Sequence, residues 1–474
     1  MKGKFCFNKI LACALVLSLT GCSGADEKSS VQPEVSQEIS YESETTSSST
    51  SGETNTQSEA STSDTPSESE SPAENPAEPT EPDYVAFFKE KKVHELNIEI
   101  DPAEWNAMVN DPYSKTPRHA NITIDGVTMN DAGIHPRGVS SLEFGVIYKT
   151  RLPYKIKFDK FVDGGNFLGL DEIALENSAC DPSTLRQYVG MEAMRSVGVD
   201  APYVTFFNVY VNGTLHGFYS GIEAVDSSYL ERVFDSHKHN LYKSESNSTL
   251  TPGMSMDAFE QEKGSDESKS DLKQLIEILD ETPLGEKGRI EEIIDVDMVL
   301  KTLAADAVIH NWDNYAGETC HNFYLYMNDG TFSIIPWDMN ETFLQTESGE
   351  RPGAGSKQDI LSPITGYLTE EDRPLVQKLM AVDEYYKKYI DYCDQCLDWL
   401  QDFSETELDE LQELVSEHYE KDPTRFYKLS SFQKEFDETN RNGIAGFIKE
   451  RCEYLAVRIP EIRAEKGLDN QEDE

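Results

Sequence analysis

Two aspartates and one asparagine lie close together in the sequence, and their side chains could support phosphoryl transfer. Asp313 follows a segment with helical periodicity, Asn322 begins a predicted strand, and Asp338 ends the strand that returns. A loop, a hairpin and the exit from that hairpin would bring the three side chains to one place. Two carboxylates and an amide form an oxygen donor set that suits Mg²⁺ or Mn²⁺. In phosphoryl transfer, one aspartate orients the attacking hydroxyl, while an asparagine and a second aspartate hold metal on the phosphates.

A structural role explains the same three residues equally well from spacing alone. Buried aspartates and asparagines often do no more than satisfy the backbone groups of a loop. The residue pattern by itself leaves both interpretations open.

The elements that must position these residues change in character along the chain. The first half favours antiparallel sheet, with strands predicted at 93–100, 120–124, 127–134, 154–158, 204–211 and 216–222. It also contains an amphipathic helix at 185–197 that Gly198 ends. The second half favours helices, at 271–279, 290–303 and from Pro374 to about Glu465, around one hairpin at 322–336. This order predicts an α+β fold, as one large domain or as two lobes with a cleft between them.

From about residue 89 to about residue 462, the chain resembles the CotH kinase family, the spore coat protein H kinases, which are divergent relatives of protein kinases. The stretches that carry the resemblance are 137–141 (RGVSS), 154–159 (YKIKFD), 185–198, 209–219, 222–226, 241–243 and the segments around Asp313, Asn322 and Asp338. The resemblance implies a two-lobed protein-kinase-like fold within 84–465. Its sheet-rich N-lobe would occupy about 84–225 and its helical C-lobe about 226–465, before an acidic tail at 466–474.

The resemblance also implies a role for each matching site residue. Asp313 matches the catalytic aspartate, and Asn322 and Asp338 match metal-binding positions. The sequence departs from the kinase pattern here, because Met339 and Asn340 follow Asp338 in place of Phe-Gly. The interval from Asp313 to Asn322 is also longer than the usual kinase catalytic loop.

The implied nucleotide contacts lie in the first half of the chain. Lys157, with Lys155 as the second candidate, matches the strand lysine that holds nucleotide phosphates. Glu192 matches the glutamate that steadies this lysine. Glu223 lies in the connector at 222–226, where backbone groups would meet adenine. No G-x-G-x-x-G loop is present in the sequence, and 137–141 is its only candidate substitute.

The N-terminus has the pattern of a bacterial lipoprotein signal peptide. Three lysines precede a short apolar run at 10–19, which is too short to span a bilayer. The run ends in Leu-Thr-Gly-Cys, which resembles a lipobox and predicts that Cys22 carries a lipid. An ordinary secretory signal with an incidental cysteine is the alternative. Residues 23–83 are rich in Ser, Thr, Glu and Pro, which predicts a disordered tether.

Charge and cysteine content exclude several classes of protein. The formal net charge of −46 disfavours binding to nucleic acid or to anionic lipid, so the only predicted membrane attachment is the lipid on Cys22. The sparse cysteines do not suggest a disulfide scaffold. Cys393 and Cys396 could form a redox pair or half a zinc site, but two cysteines on one helix face are the favoured interpretation.

Together these features predict a surface-anchored atypical kinase. It would transfer a phosphoryl group from ATP or another nucleotide, with Mg²⁺ or Mn²⁺, to Ser or Thr hydroxyls of a protein whose identity the sequence does not give. The alternative is a non-catalytic surface protein that keeps a kinase-like fold for binding or for assembly of the cell envelope or coat.

Overall fold

The computed structural model describes residues 81–149, 151–345, 355–366 and 368–468. The contacts divide the chain after Thr80, and every described residue belongs to the second unit. The predictions for the signal peptide, for Cys22, for most of the tether and for most of the acidic tail lie outside the described residues. The α+β class is confirmed, because two sheets and many helices share the described residues. The division into two lobes stays a prediction.

The first sheet is a closed barrel. Its strands are β1 (Val93–Glu99), β2 (Arg118–Ile124), β3 (Val127–Pro136), β4 (Tyr154–Lys157), β5 (Glu172–Glu176), β6 (Val204–Val211) and β7 (Thr214–Glu223). They follow the order β1-β2-β3-β4-β5-β7-β6, and the parallel pair of β1 and β6 closes the ring. The sequence predicted these strands except β5, but it did not predict the closure.

Alternation along β4 and β5 separates the inside of the barrel from its outside. Ile156 and Ile173 are fully buried in the apolar cluster that includes the barrel interior. Residues two apart on a strand share a face, so Lys155 and Lys157 lie on the outer face, as do Glu172 and Glu176. The strands thereby place a row of charged side chains on one outer face of the barrel.

The second sheet has the order β11-β10-β8-β9. Its strands are β8 (Leu241–Ser244), β9 (Phe259–Lys263), β10 (Phe323–Asn328) and β11 (Thr331–Pro336). The β10–β11 hairpin agrees with the prediction. β8 and β9 were missed because neither alternates: Leu241 and Tyr242 are adjacent apolar residues, and Phe259 is the one apolar residue of β9.

The helices bury their apolar faces between the barrel, the second sheet and each other. They are α1 (Asp83–Phe88), α2 (Pro102–Asn110), α3 (Ser140–Tyr148), α4 (Arg186–Ser196), α5 (Ser227–Phe234), α6 (Ser270–Glu281), α7 (Val296–Val308), α8 (Pro374–Met380), α9 (Asp383–Thr406), α10 (Leu408–Lys421), α11 (Leu429–Glu435) and α12 (Ile444–Lys466). Helix α9 packs along both α7 and α12. Among the described helices, none combines the length and the apolar character needed to cross a membrane.

The predicted helix at 290–303 was wrong as a single element. Residues Ile290–Glu292 form a 3-10 turn, and a new helix, α7, begins at Val296. The side chain of Asp295 accepts a hydrogen bond from the backbone N–H of Met298 at 3.0 Å. An N-cap of this kind starts a helix, because it satisfies an N–H group that has no partner within the helix. The apolar periodicity continued through the turn and concealed the break.

Candidate active site

The loop after α7 is held by one asparagine. The Asn311 side chain donates to Asp306 at 2.7 Å, and its Oδ1 accepts from the Asp313 backbone N–H at 3.2 Å. The Asn311 carbonyl accepts from the Asn314 side chain at 3.1 Å. Asn311 is 1% exposed, so these bonds form away from water and fix the backbone on both sides of Asp313.

Asp313 is 5% exposed and accepts several hydrogen bonds at its carboxylate. Thr319 donates to Oδ1, and His321 Nε2 lies 2.8 Å from the same oxygen. The Asn322 side-chain amide donates to the Asp313 carbonyl at 2.9 Å and to Oδ2 at 3.2 Å. The carboxylate is therefore fixed in one orientation by hydroxyl, ring and amide groups.

The β10–β11 hairpin brings Asp338 to the same end of the sheet as Asn322. The backbone N–H of Trp337 donates to the carbonyl of Asn322 at 3.1 Å, just beyond the last ladder pair of the hairpin. Asn322 has φ of 62° and Asp338 has φ of 58°, which lie in the left-handed region that non-glycine residues seldom adopt. Such backbone strain persists only where the surrounding structure imposes it, and it is frequent at functional sites.

A cation and a carboxylate from the barrel border this end of the site. Arg137 follows β3, and its Nη1 lies 3.2 Å from Oε2 of Glu176 on β5. The Arg137 guanidinium also lies 5.5 Å from the ring centroid of Trp337, the residue before Asp338. Burial raises the pKa of Glu176 to about 7; Arg137 opposes this rise and the Asp338 carboxylate adds to it. Glu176 and Asp338 are therefore close enough to repel each other.

Helix α4 fixes the backbone that follows Asp338. The Met339 N–H donates to the side-chain oxygen of Gln187 at 2.9 Å. One turn later, Gly190 lets the two segments touch, because a Cβ there would lie 2.7 Å from Met339 Cβ. The glycine thus permits a close approach that any larger residue would prevent.

The donor set fits a divalent metal that arrives with phosphate ligands. Within the described residues, no group of three or more His, Cys, Asp or Glu side chains could hold a metal on its own. Mg²⁺ in phosphoryl-transfer sites is usually bound by one or two carboxylates together with substrate phosphates. Asp338 and Asn322 could supply such ligands, since the Asn322 amide nitrogen already donates to Asp313 and its oxygen remains an acceptor.

The family model described as CotH kinase protein matches residues 134–455, which include Asp313, Asn322 and Asp338. The chain belongs to the CotH kinase protein family. A curated relative, the inner spore coat protein H of Bacillus subtilis (strain 168), is 25% identical over 309 residues, which make up 62% of this chain and 80% of the relative.

Two solved structures share a weaker similarity with this CotH chain. One is HipA of Shewanella oneidensis MR-1, from a complex with HipB and operator DNA. It has a TM-score of 0.27 and 11% identity, over 62% of this chain and 60% of that chain. The other is the proinflammatory kinase CtkA of Helicobacter pylori, with a TM-score of 0.30 and 11% identity, over 63% of this chain and 92% of that chain. Both similarities are too remote to support an inference about the site.

The two strand lysines of the CotH chain pair with different carboxylates. Lys157 forms an ion pair with Asp159 at 3.2 Å, whereas Lys155 pairs with Glu172 at 2.6 Å. Burial lowers the pKa of Lys157, but Glu172 and Asp159 outweigh it and the net shift is upward. In the ladder between β3 and β4, Tyr154 pairs with Pro136, the last residue of β3 before Arg137. Lys155 is next to Tyr154 in the chain, whereas Lys157 is three residues from it. This register favours Lys155 over Lys157 as the lysine closer to the Asp338 end.

The structure does not bring Glu192 to either lysine. Glu192 forms an ion pair with Arg195, three residues further along α4. The lysine–glutamate pair that the resemblance implied between Lys157 and Glu192 is therefore not formed. Helix α4 contacts the site through Gln187 and Gly190 instead.

The Glu223 side chain is fully occupied within the protein. Arg232 donates to both of its oxygens, at 3.0 and 2.8 Å, and the Tyr84 hydroxyl donates at 2.8 Å. The backbone N–H of Glu223 donates to the carbonyl of Tyr203 at 2.8 Å. These bonds occupy the Glu223 side chain and its backbone N–H, so neither of these groups is available to adenine.

Asp226, at the end of the connector, faces the same charged surface as Lys157. Its Oδ1 accepts from the Ser228 backbone and hydroxyl and caps α5, while its buried Oδ2 has no hydrogen-bond partner. Burial raises the pKa of Asp226 to about 7, and Glu172 adds to the rise. The connector therefore carries a buried carboxyl close to the strand that bears the two lysines.

Cys393 and Cys396 lie buried on α9, and neither forms a disulfide. Burial raises the pKa of both thiols, that of Cys396 to about 12. Neutral thiols in apolar surroundings agree with the favoured interpretation of two cysteines on a helix face.

Sequence reasoning missed several residues that shape the site. Glu176 was missed because β5 was not predicted, and Gln187 because nothing in a helix sequence shows what its side chain will reach. Asn311 and His321 stood beside Asp313 and Asn322 in segments already rich in polar groups. That local enrichment was the one available signal for them.

Proposed function

We propose that this protein is an atypical kinase that transfers the terminal phosphoryl group of ATP, or of another nucleotide, to Ser or Thr hydroxyls of a protein. The observation that carries the proposal is the meeting of Asp313, Asn322 and Asp338 at one end of the β10–β11 hairpin. Asn322 and Asp338 also adopt left-handed backbone conformations at this point, a feature that is frequent at functional sites.

Asp313 would act on the incoming hydroxyl. The hydroxyl oxygen forms a bond to the terminal phosphorus, the bond from that phosphorus to the bridging oxygen breaks, and the nucleoside diphosphate leaves. The hydroxyl proton passes to the Asp313 carboxylate, which Thr319, His321 and Asn322 hold in place. Asp338 and Asn322 would hold a divalent metal, which when bound supplies positive charge to the phosphates.

We place this activity outside the cytoplasm. The N-terminal sequence has the pattern of a lipoprotein signal, and the relative from Bacillus subtilis is named an inner spore coat protein. The acceptor would then be a protein of the envelope or coat. A non-catalytic role in envelope or coat assembly is the competing proposal, and the retained Asp313, Asn322 and Asp338 argue against it.

The test uses the wild-type protein with Asp313→Ala, Asp313→Asn and Asp338→Asn. We expect Asp313→Ala to lower phosphate transfer by about 10²- to 10⁴-fold while nucleotide binding survives. Asp313→Asn keeps the shape of the side chain and should lose transfer with little change in melting temperature. Asp338→Asn should lose the metal-dependent transfer activity, because the amide lacks the charge that a divalent metal needs. Labelled ATP follows transfer, with the modified residues mapped by mass spectrometry.

Two results would contradict the proposal. If the wild-type protein binds no nucleotide in the presence of Mg²⁺ or Mn²⁺, the non-catalytic role is favoured. If Asp313→Asn transfers phosphate at the wild-type rate, Asp313 is not the catalytic aspartate.

A further inference from the structure

We propose that Arg137 is the cation that binds the nucleotide phosphates beside Asp338, and that Glu176 is the residue that positions it. This inference rests on the proposed function, because it names further residues of the same nucleotide site. It replaces the pairing of Lys157 with Glu192 that the family resemblance implied.

The Arg137 side chain is fixed on two sides and has donors to spare. Its Nη1 contacts Glu176 at 3.2 Å and its guanidinium lies 5.5 Å from the Trp337 ring centroid. A guanidinium has five N–H donors, and Glu176 is the one described acceptor for them. A planar cation with unused donors matches the oxygens of a phosphate better than a lysine does.

The position of Arg137 in the fold suits a phosphate contact. It stands between β3 and α3, and Gly138 turns the chain with φ of 78°. Helix α3 begins at Ser140 and has no side-chain cap at its N-terminus. Its first N–H groups add partial positive charge close to Arg137 in the chain, which favours an anion there.

Glu176 has the environment of a positioning residue. It is 3% exposed, and its Oε1 is buried without a hydrogen-bond partner while Oε2 contacts Arg137. A buried carboxylate that is only half satisfied is costly unless it serves another group. Glu176 and Asp338 are two neighbouring carboxylates, and Arg137 is the cation beside them.

Two of the residues that the resemblance implied, Glu192 and Lys157, are less well placed. Glu192 pairs with Arg195, and Lys157 with Asp159 at 3.2 Å. Arg137 and Glu176, by contrast, come from the barrel and meet beside the segment Trp337–Asp338. They form the cation–carboxylate pair that lies next to the proposed metal ligand.

The experiment compares binding of ATP with binding of adenosine, both with Mg²⁺, by calorimetry on the purified chain. We expect Arg137→Gln to weaken ATP binding by about 10- to 100-fold and to leave adenosine binding unchanged, because adenosine has no phosphates. Arg137→Lys keeps the positive charge but loses the planar guanidinium, so its affinity for ATP should lie between those of the wild type and Arg137→Gln. Arg289→Gln removes an arginine from an exposed ion pair with Glu292 and is the matched control.

Glu176→Gln tests positioning through a double-mutant cycle. It should weaken ATP binding in the wild-type background and have no further effect in Arg137→Gln, because it acts through Arg137. Lys155→Gln tests whether Lys155, rather than Arg137, is the cation that binds the phosphates. Melting temperatures are recorded for every variant.

Each outcome separates this proposal from the proposed function. If the wild-type chain binds ATP and Arg137→Gln binds it equally well, the role of Arg137 is overturned while the kinase proposal stands. If Arg137→Gln loses ATP and adenosine together with a lower melting temperature, its role is structural and the inference fails. If Lys155→Gln alone loses ATP binding, Lys155 is the phosphate contact. If the wild-type chain binds neither compound, the proposed function itself fails.

Discussion

Asp313 obtains its position from the side chains of Asn311, Thr319 and Asn322, together with the ring of His321. Asn311 fixes the backbone N–H of Asp313, and Thr319 and Asn322 donate to the carboxylate. Asn311 in turn depends on Asp306, a carboxyl that is 5% exposed on α7. A buried acid therefore lies at the base of the loop that carries Asp313.

We expect the stability of the protein to respond to the ionisation of Asp306. Burial raises its pKa to about 7, above the usual value for aspartate, so folding favours the neutral form. The free energy of unfolding should therefore fall as pH rises from about 4 through about 7. Asp306→Asn stays neutral and keeps an acceptor for Asn311, so it should be more stable than wild type at pH 8, by up to about 4 kcal/mol.

Urea unfolding at pH 5 and pH 8 measures this difference. Asp297→Asn on the same helix is the control, because the pKa of Asp297 is lowered: burial opposes this, but its bonds to Lys301 and Tyr392 outweigh it. Asp297→Asn should therefore lower the free energy of unfolding at pH 8 by a small amount. An Asp306→Asn variant with the same stability difference at both pH values would show that Asp306 does not ionise in this range.

At the scale of elements, α4 and the β10–β11 hairpin define the site together. The hairpin places Asn322 and Asp338 at one end, since its ladder pairs Phe323 with Pro336. Helix α4 then holds the exit of the hairpin through Gln187 and the close approach at Gly190. A shift of α4 would therefore move Asp338.

We expect Gly190→Ala to lower phosphate transfer and stability together. The new Cβ would lie 2.7 Å from Met339 Cβ, and relief of that clash requires α4 or the Asp338 segment to move. Overpacking of this kind typically costs about 1–3 kcal/mol. Thermal melting and transfer rates are measured on Gly190→Ala, on Met339→Gly and on the two combined, because only the loss of the Met339 Cβ makes room for the methyl group. If Gly190→Ala costs as much in the Met339→Gly background as in the wild type, the clash is not the cause.

At the scale of the whole molecule, buried arginines connect distant parts of the chain. Arg151, before β4, pairs with Asp422 after α10, and Arg186 on α4 bonds to Glu435 on α11 at 2.7 Å. Arg451 on α12 donates to backbone carbonyls near the end of α7. Since a buried charge is tolerated only when it is paired or hydrogen-bonded, these contacts fix the C-terminal helices against the barrel and the end of α7.

We expect Cys22→Ser to release the protein from the membrane. One diacylglyceryl group supplies two acyl chains, and each buried CH₂ contributes about 0.8 kcal/mol of membrane affinity. Cell fractionation with detection of the protein measures the change. Cys13→Ser is the matched control, because that cysteine would leave with the signal peptide and membrane retention should persist. Retention of Cys22→Ser on the membrane would mean that another feature anchors the chain.

The sequence by itself determined the local elements around the proposed chemistry. The turn residues Asn328-Asp329-Gly330 identified the β10–β11 hairpin, and Gly198 marked the end of α4, because both signals depend on neighbours in the chain. The hairpin was enough to predict that Asn322 and Asp338 would meet at one end. Asp313 was placed with them because a loop joins α7 to that hairpin, and the structure brings it within 3.2 Å of Asn322.

Only the tertiary structure decided which charged groups surround that hairpin. The strand order β3-β4-β5 in the barrel places Glu176 of β5 near Arg137 after β3, although 39 positions separate them in the sequence. Glu192 pairs with Arg195, a partner that i,i+3 spacing on a helix allows, but the sequence could not decide between this arginine and a strand lysine. The physical reason is that ion pairs between elements depend on strand order and register, whereas periodicity reports only which face of one element is buried.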